Sequence, residues 1–407
     1  MNRFFSYYYI MAALVAAAPN YAAARSSPTR VRALVIYACD VDDAYPFPTR
    51  ALRKSIYKRV SGFYKTMSYG KHRISFKEAT DDGGFFVSDH AAGYYKKNYD
   101  RQRHVRGFAM FNEEILEKVR ARYGDKYFRD VDMIVVVGTD AGRNWYARNV
   151  NATGFGMLGV DFIAGGKTFG KRQGKGGITV EIGSDIGTPD PDDDRHLNLT
   201  SIYWVFAHEY GHWLGLGHQP QRLRVYSLMS DRAYGNERMP HYGPAPLDIF
   251  EIMQLGWLDE RDRERVSVIN AEPGRRTIAL KQVRSKKGRV LLRIDLPDLK
   301  DKYYLTYHSQ KANDYDAAYA GSGLLLWRKR GYRIELVSPG RGDENSRDHL
   351  ARGEDEGGLP ADFFNSDTGE TVTTHSNTKQ AQSSISSFSM NILRETQREI
   401  VFEVLFK

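Results

Sequence analysis

The sequence predicts an α/β domain over residues 25–267 and an all-β, sandwich-like domain over residues 268–407, behind a leader at residues 1–24. Three observations lead there. Segments of helical and strand periodicity alternate as far as Leu258, the order expected of an α/β layer. From about Val268, short β-branched and aromatic runs follow one another between turns, without a helical period. Between these regions lies His208-Glu209-Tyr210-Gly211-His212-Trp213-Leu214-Gly215-Leu216-Gly217-His218, whose spacing is that of a metal site.

Met1 to Ala24 has a charged start at Arg3, an apolar run from Phe4 to Ala18 and small residues at Ala22-Ala23-Ala24. This is the pattern of a cleaved secretory signal; an uncleaved N-terminal anchor is the alternative. The apolar run is shorter than the roughly 20 residues of a membrane span. The expectation is therefore a secreted protein, extracellular or periplasmic, with no stable membrane insertion. The whole sequence is 41% hydrophobic and 27% charged, ordinary for a globular chain that builds its core without disulfides. That suits the single cysteine, Cys39. Two readings of it stand: a buried thiol at the end of the strand Val35–Ala38, or a switch cysteine that caps the metal. The net charge of +9 fits a solvated basic excess or attraction to acidic substrates. The basic residues are scattered rather than striped, which argues against a nucleic-acid partner.

Val31 to Ala38 reads as the first strand. Ala51 to Met67 carries Leu52, Ile56, Val60, Phe63 and Tyr64 at helical spacing, and Ser68-Tyr69-Gly70 ends that helix. His72 to Lys77 is a second strand, with His72 a surface or strand residue rather than a ligand. Phe108 to Tyr123 is a helix that turns Ile115, Leu116 and Val119 inward, and Met133 to Val137 is a buried strand. The glycine-rich region 138–188 lacks the Gly-x-x-x-x-Gly-Lys-Ser/Thr pattern of a phosphate loop, and within it Ile178 to Ile182 alternates as a strand. Thr200 and Ser201 are N-cap candidates for a helix buried by Ile202, Val205, Phe206 and Trp213. Leu247 to Leu258 is a last helix closing the first domain. In the second domain Thr277–Val283, Val290–Leu296, Tyr303–Tyr307, Leu324–Trp327, Ile334–Val337 and Ile400–Phe406 read as strands, and Arg341 to Thr378 as a long polar loop.

The chemistry resides in the histidine stretch. An α-helix turns about 100° per residue, so His208 and His212 share a face one turn apart. Gly215 can adopt the positive φ that ends a helix, after which the chain turns back and brings His218 to the same ion. Three imidazole ligands leave the fourth tetrahedral position for water, the arrangement of a catalytic Zn²⁺. Glu209 flanks the ligands, placed to act as base on a zinc-bound water rather than on the metal.

On these residues the chain resembles the metzincin metallopeptidases, whose motif is His-Glu-x-x-His-x-x-Gly-x-x-His followed by a methionine turn. Tyr226-Ser227-Leu228-Met229-Ser230 is similar to that turn, with Met229 as its methionine. A closer resemblance is to the immune inhibitor A family of peptidases. It is carried by Phe63 to Gly70, by Leu247-Asp248 through Leu255-Gly256-Trp257-Leu258, and by Tyr303-Tyr304-Leu305 through Gly323 to Trp327. Two departures are visible. The third ligand position is often Asp in that family and is His218 here, and its Tyr-x-x-x-Glu-Asn-Arg segment is replaced around Thr306, Tyr307, His308 and Ser309. The resemblance implies an α/β zincin-like (metzincin) catalytic domain, and Ile178–Ile182 as the edge strand to which an extended peptide substrate adds. Some metzincins place a Tyr two residues after the methionine; here that position is Asp231, and Tyr226 and Tyr234 remain alternatives.

The expected activity is that of a zinc metalloendopeptidase acting on protein or peptide substrates, with His208, His212 and His218 on the metal and Glu209 as catalytic base. The alternatives are a zinc-containing binding or adhesion module without turnover, and a zinc hydrolase of cell-wall peptides. Asp190, Asp192, Asp193 and Asp194 form either a Ca²⁺ site or a solvated loop, without the EF-hand spacing. Asn151-Ala152-Thr153 and Asn198-Leu199-Thr200 match the glycosylation pattern, which matters only in a eukaryotic secretory route.

Overall fold

The computed structural model describes residues 27–42, 47–97, 106–139, 154–155, 162–169, 177–182, 197–219, 227–229, 245–296, 301–309, 322–331, 333–337, 371–373 and 387–406. The leader, the acidic stretch Asp190–Asp194, Tyr226, Asp231, Tyr234, Asn151 and most of the loop expected after Arg341 lie outside the described residues. The first half is built on strands β1 (Arg30–Cys39), β2 (Arg73–Ala79), β3 (Phe86–Val87), β4 (Met133–Thr139), β5 (Gly154–Phe155) and β8 (Gly177–Ile182). They form one sheet in the order β2-β1-β4-β8-β5, with β3 also paired to β1. All pairings are parallel except β5 with β8. A separate hairpin joins β6 (Phe162–Ala164) to β7 (Lys167–Phe169).

The apolar run in β1 has no polar alternation because both faces of the sheet are covered. Val31, Ala33, Val35 and Tyr37 pack on one side with helices α1 (Arg50–Met67) and α4 (Leu197–Leu214). Leu34, Ile36 and Ala38 pack on the other side with α3 (Arg106–Tyr123). In β4, Met133, Val135 and Val137 join the first side and Ile134 and Val136 the second. This is the period-two division expected of a strand buried on both faces. A short helix α2 (Ala92–Lys97) lies between β3 and α3 in the chain.

Several sequence expectations change. Strand β8 is not the sheet edge: Thr179 and Val180 pair with Phe155 and Gly154, so the two-residue β5 lies outside it. Thr200 and Ser201 are not N-caps, since α4 already begins at Leu197. The last helix of the first half, α5, is confined to Ile249–Gln254 and capped by Asp248. His72 is neither a surface residue nor part of β2. It is fully buried, its Nδ1 2.6 Å from the Pro28 carbonyl and its Nε2 2.8 Å from the Tyr210 hydroxyl. Because a carbonyl only accepts, Nδ1 carries the proton and the Tyr210 hydroxyl donates to Nε2.

The second half contains two sheets. One has the order β14 (Arg333–Val337), β13 (Gly323–Arg330), β12 (Lys302–His308), β11 (Leu291–Asp295), β9 (Val266–Asn270). The other has the order β10 (Gly274–Lys281), β17 (Glu399–Phe406), β16 (Ser387–Glu395), β15 (Thr371–Thr373). Leu292, Ile294, Leu305, Leu324 and Leu326 share a core with Phe388, Ile400, Phe402 and Val404, so the two sheets pack face to face. The opposite face of the first sheet, with Leu291, Tyr304, Leu325 and Trp327, joins the core of the N-terminal half. There the ring of Phe250 from α5 meets Tyr304 at 5.1 Å and Trp327 at 6.0 Å. Sandwiching on both faces explains the unbroken run Leu324-Leu325-Leu326-Trp327. The expected boundary at residues 267 and 268 falls inside β9, which pairs with β11. No described helix is long and apolar enough to cross a membrane.

Burial pushes the His72 imidazole down to about 4 from its ordinary 6.5. Between those values the unfolded chain takes up a proton that the folded chain refuses, so stability falls as the pH drops from 6.5 towards 4. The linked loss is about 3 kcal/mol. A His72→Gln chain should therefore lose less stability than the unmutated chain between pH 7 and pH 4 in urea unfolding; equal losses would reject this account.

Candidate metal centre

The helix that presents the histidines is held by its neighbours before any ion is considered. Tyr203, Val205, Phe206, Tyr210 and Trp213 of α4 are buried against the sheet and α1. The Tyr64 hydroxyl of α1 donates to the Ala207 carbonyl at 2.5 Å, one residue before the first histidine. The Tyr64 ring stands edge-on to Tyr210 with centroids 4.7 Å apart. Helix α4 ends at Leu214, and Gly215 takes φ 109°, a conformation that favours glycine. The Leu216 amide then closes on the Gly211 carbonyl at 3.0 Å, and the Gln254 side chain of α5 donates to the Gly215 carbonyl at 3.1 Å.

That turn brings His218 back beside the helix. The Nε2 atoms of His208 and His212 lie 3.1 Å apart, those of His208 and His218 3.3 Å, and those of His212 and His218 2.9 Å. His208 is buried, His212 half-buried and His218 exposed, so the cluster opens to solvent on the His218 side. The backbone sets the tautomers. His208 Nδ1 is 2.7 Å from the Leu228 carbonyl, and His212 Nδ1 is 2.9 Å from the Leu216 carbonyl. Each Nδ1 must therefore carry its proton, and each Nε2 presents a lone pair. Burial pushes His208 down to about 3 and His212 down to about 4, so both rings are neutral near pH 7. The lone pairs of His208 and His212, 3.1 Å apart, call for a positive partner between them, either the Nε2 proton of the His218 ring at 3.3 and 2.9 Å or a cation.

A tetrahedral Zn²⁺ with Zn–N bonds of about 2.0–2.1 Å sets its nitrogen ligands about 3.3 Å apart. The observed separations of 2.9–3.3 Å fit that cage. The backbone carbonyls behind His208 and His212 are the outer partners that metal-binding imidazoles take.

Glu209 follows His208 on the helix and is only 3% exposed. Burial alone pushes its carboxyl up to about 8. A cation on the adjacent imidazoles opposes that shift, because a nearby positive charge favours the carboxylate.

Met229 lies directly beneath the helix. It is fully buried, and its amide donates to the Ser227 hydroxyl oxygen at 3.1 Å. A Cβ placed on Gly211 would overlap the Met229 sulfur and come within 3.2 Å of its methyl carbon. Glycine between His208 and His212 is thus what lets the methionine approach. The Met229 carbonyl accepts from the Gln219 amide at 2.7 Å, and the Leu228 amide donates to the Pro246 carbonyl at 2.9 Å.

All four candidate residues, His208, Glu209, His212 and His218, are therefore together on α4 and the turn after it. Cys39 is buried at the end of β1 and is absent from the histidine cluster. Sequence reasoning missed Tyr64, Ser227 and Gln254 as supports of the site, and it missed Glu251. The signal for the last was available: Asp248-x-x-Glu251 is a capping-box spacing. Comparison with known protein families finds no match, and no curated protein matches the chain significantly.

Gly211→Val should destabilise the metal-free chain by about 2 kcal/mol or more, through overpacking against Met229. Denaturant unfolding measures this, and an unchanged midpoint would contradict the close approach.

Proposed function

We propose that this chain is a secreted zinc-dependent endopeptidase of the metzincin type. The reading rests on one observation above others: two backbone-locked imidazoles and a third from the following turn converge their Nε2 atoms within 3.3 Å of one another, beside a buried glutamate. His208, His212 and His218 would hold the ion. The chemistry a zinc ion supplies there is Lewis acidity towards water and a peptide carbonyl.

The chain's own groups do the rest. Leu228 and Leu216 hold the His208 and His212 rings in the ligating tautomer through their carbonyls. The exposed His218 leaves the solvent side open for an incoming peptide. Glu209 takes the proton from the attacking water and returns it to the amine that leaves when the peptide bond breaks. A binding module would need the histidines but not that carboxylate, and the presence of Glu209 favours turnover.

Two measurements test this. Zinc content and cleavage of denatured casein should be compared for the unmutated chain and its Glu209→Gln form. One zinc per chain is expected in both, with cleavage reduced about 10²–10⁴-fold in the variant, the typical contribution of general acid–base catalysis. Zinc in both without cleavage in either would overturn the peptidase reading in favour of a binding module or a hydrolase of other bonds. For His212→Ala the expected outcome is loss of zinc and of cleavage together. A chelator should abolish cleavage by the unmutated chain, and added Zn²⁺ should restore it; cleavage that persists with zinc removed would refute the assignment.

A further inference from the structure

The turn that carries Leu228 and Met229 is anchored by a buried polar chain that ends in the C-terminal half. Ser227 donates its hydroxyl to Glu251 Oε1 at 2.5 Å while accepting from the Met229 amide at 3.1 Å. The other oxygen of Glu251 accepts from the Asp248 amide at 2.7 Å. Asp248 Oδ1 in turn accepts from the amides of Phe250 and Glu251 at 2.7 and 2.8 Å. A capping box accounts for the last three bonds, but not for the reach to Ser227.

Two carboxyls side by side in a core are costly without a counter-charge. Burial raises both above the ordinary carboxylate range, and the cation that opposes this is Arg284. Arg284 is buried, lies between β10 and β11, and donates from Nη2 to the Leu247 carbonyl at 2.7 Å, next to the helix cap. Its backbone is clamped on several sides. The Val283 amide donates to the Tyr307 carbonyl at 2.8 Å, and the Arg284 amide to Gln282 Oε1 at 2.7 Å. The Tyr69 hydroxyl reaches the Val283 carbonyl at 3.1 Å, and Arg265 Nη2 the Ser285 carbonyl at 2.6 Å.

We propose that Glu251 and Arg284 are positioning residues of the metal centre: Glu251 sets the Ser227–Met229 turn, whose Leu228 carbonyl orients His208, and Arg284 ties that turn to the C-terminal sheets. The β-rich half is then a structural part of the site rather than an appendage. This rests on the reading of His208, His212 and His218 as zinc ligands, but not on the reaction catalysed there.

The test is zinc affinity of the full chain, measured by competition with a chromophoric chelator, together with the visible spectrum of the Co²⁺ form. Ser227→Ala, Glu251→Gln and Arg284→Met should each weaken Zn²⁺ binding at least about tenfold, as loss of outer-shell support does, and should alter the Co²⁺ bands. Tyr123→Phe removes a hydrogen bond to the Thr80 carbonyl on the far side of the sheet and should leave both unchanged. Arg284→Lys, which keeps the charge, should recover part of the affinity lost in Arg284→Met. If Glu251→Gln fails to fold, Ser227→Ala decides the first link; if Arg284→Met fails, Arg284→Lys against the unmutated chain decides the second. Affinity of Ser227→Ala within tenfold of the unmutated chain overturns the role of the turn. Unchanged affinity and spectrum in the folded Arg284 variants overturn the tie to the sheets. Failure of the unmutated chain to bind zinc would instead sink the metal assignment itself, whereas zinc binding without proteolysis would leave the present test intact.

Discussion

The constraint on which the site depends is the pairing of His208 Nδ1 with the Leu228 carbonyl, echoed by His212 Nδ1 with Leu216. Each bond spends the ring's proton on the backbone and leaves a lone pair on the far nitrogen. The two lone pairs then face each other 3.1 Å apart in a region where neither ring readily charges. That apposition is relieved by a donor proton from His218, whose Nε2 lies 3.3 and 2.9 Å from theirs, or by a cation. The surrounding packing holds the rings in place: a helix that buries Tyr203, Val205, Phe206, Tyr210 and Trp213, a methionine seated on Gly211, and a second helix whose Gln254 secures the turn before His218.

The same logic explains why the two halves share a core. Among the described residues, turn 227–229 is supported mainly by segments distant in sequence. It is held by hydrogen bonds to Glu251, Pro246 and Gln219. Glu251 belongs to α5, and α5 places Phe250 against Tyr304 and Trp327 of the adjacent sheet. Rigidity at the histidines is thus drawn from aromatic packing that lies well away in the sequence. If the histidines hold a metal as proposed, the site would tolerate little displacement, since metal geometry is sensitive to small shifts of its ligands.

Much of the candidate site was legible because bringing two histidines onto one helix face is a matter of local spacing. His208 and His212 are one turn apart in any α-helix, and Gly215 marks the turn whatever the helix packs against. The strands of the second half were legible as apolar runs, but β9, β15 and β16 were not. Val266–Asn270 and Ser387–Glu395 mix polar and apolar residues, since part of each strand is exposed. His72 misled for the opposite reason: a polar residue beside Lys71 and Arg73 suggests the surface, yet its two ring nitrogens are both satisfied inside, by Pro28 and Tyr210.

By itself the sequence determined the elements whose signal is periodic or closely spaced: the doubly covered strands β1 and β4, the amphipathic helix α1, and the order His-Glu-x-x-His with its glycine and third histidine. Only the tertiary structure decided which residues support them. Tyr64 and Ala207 are bonded across 143 positions, and Arg284 and Leu247 across 37. Such contacts depend on how layers stack and on which buried polar groups find partners, and neither leaves a mark on neighbouring residues. The position of β5 outside β8 is of the same kind, because which strand closes a sheet depends on pairing between segments remote along the chain.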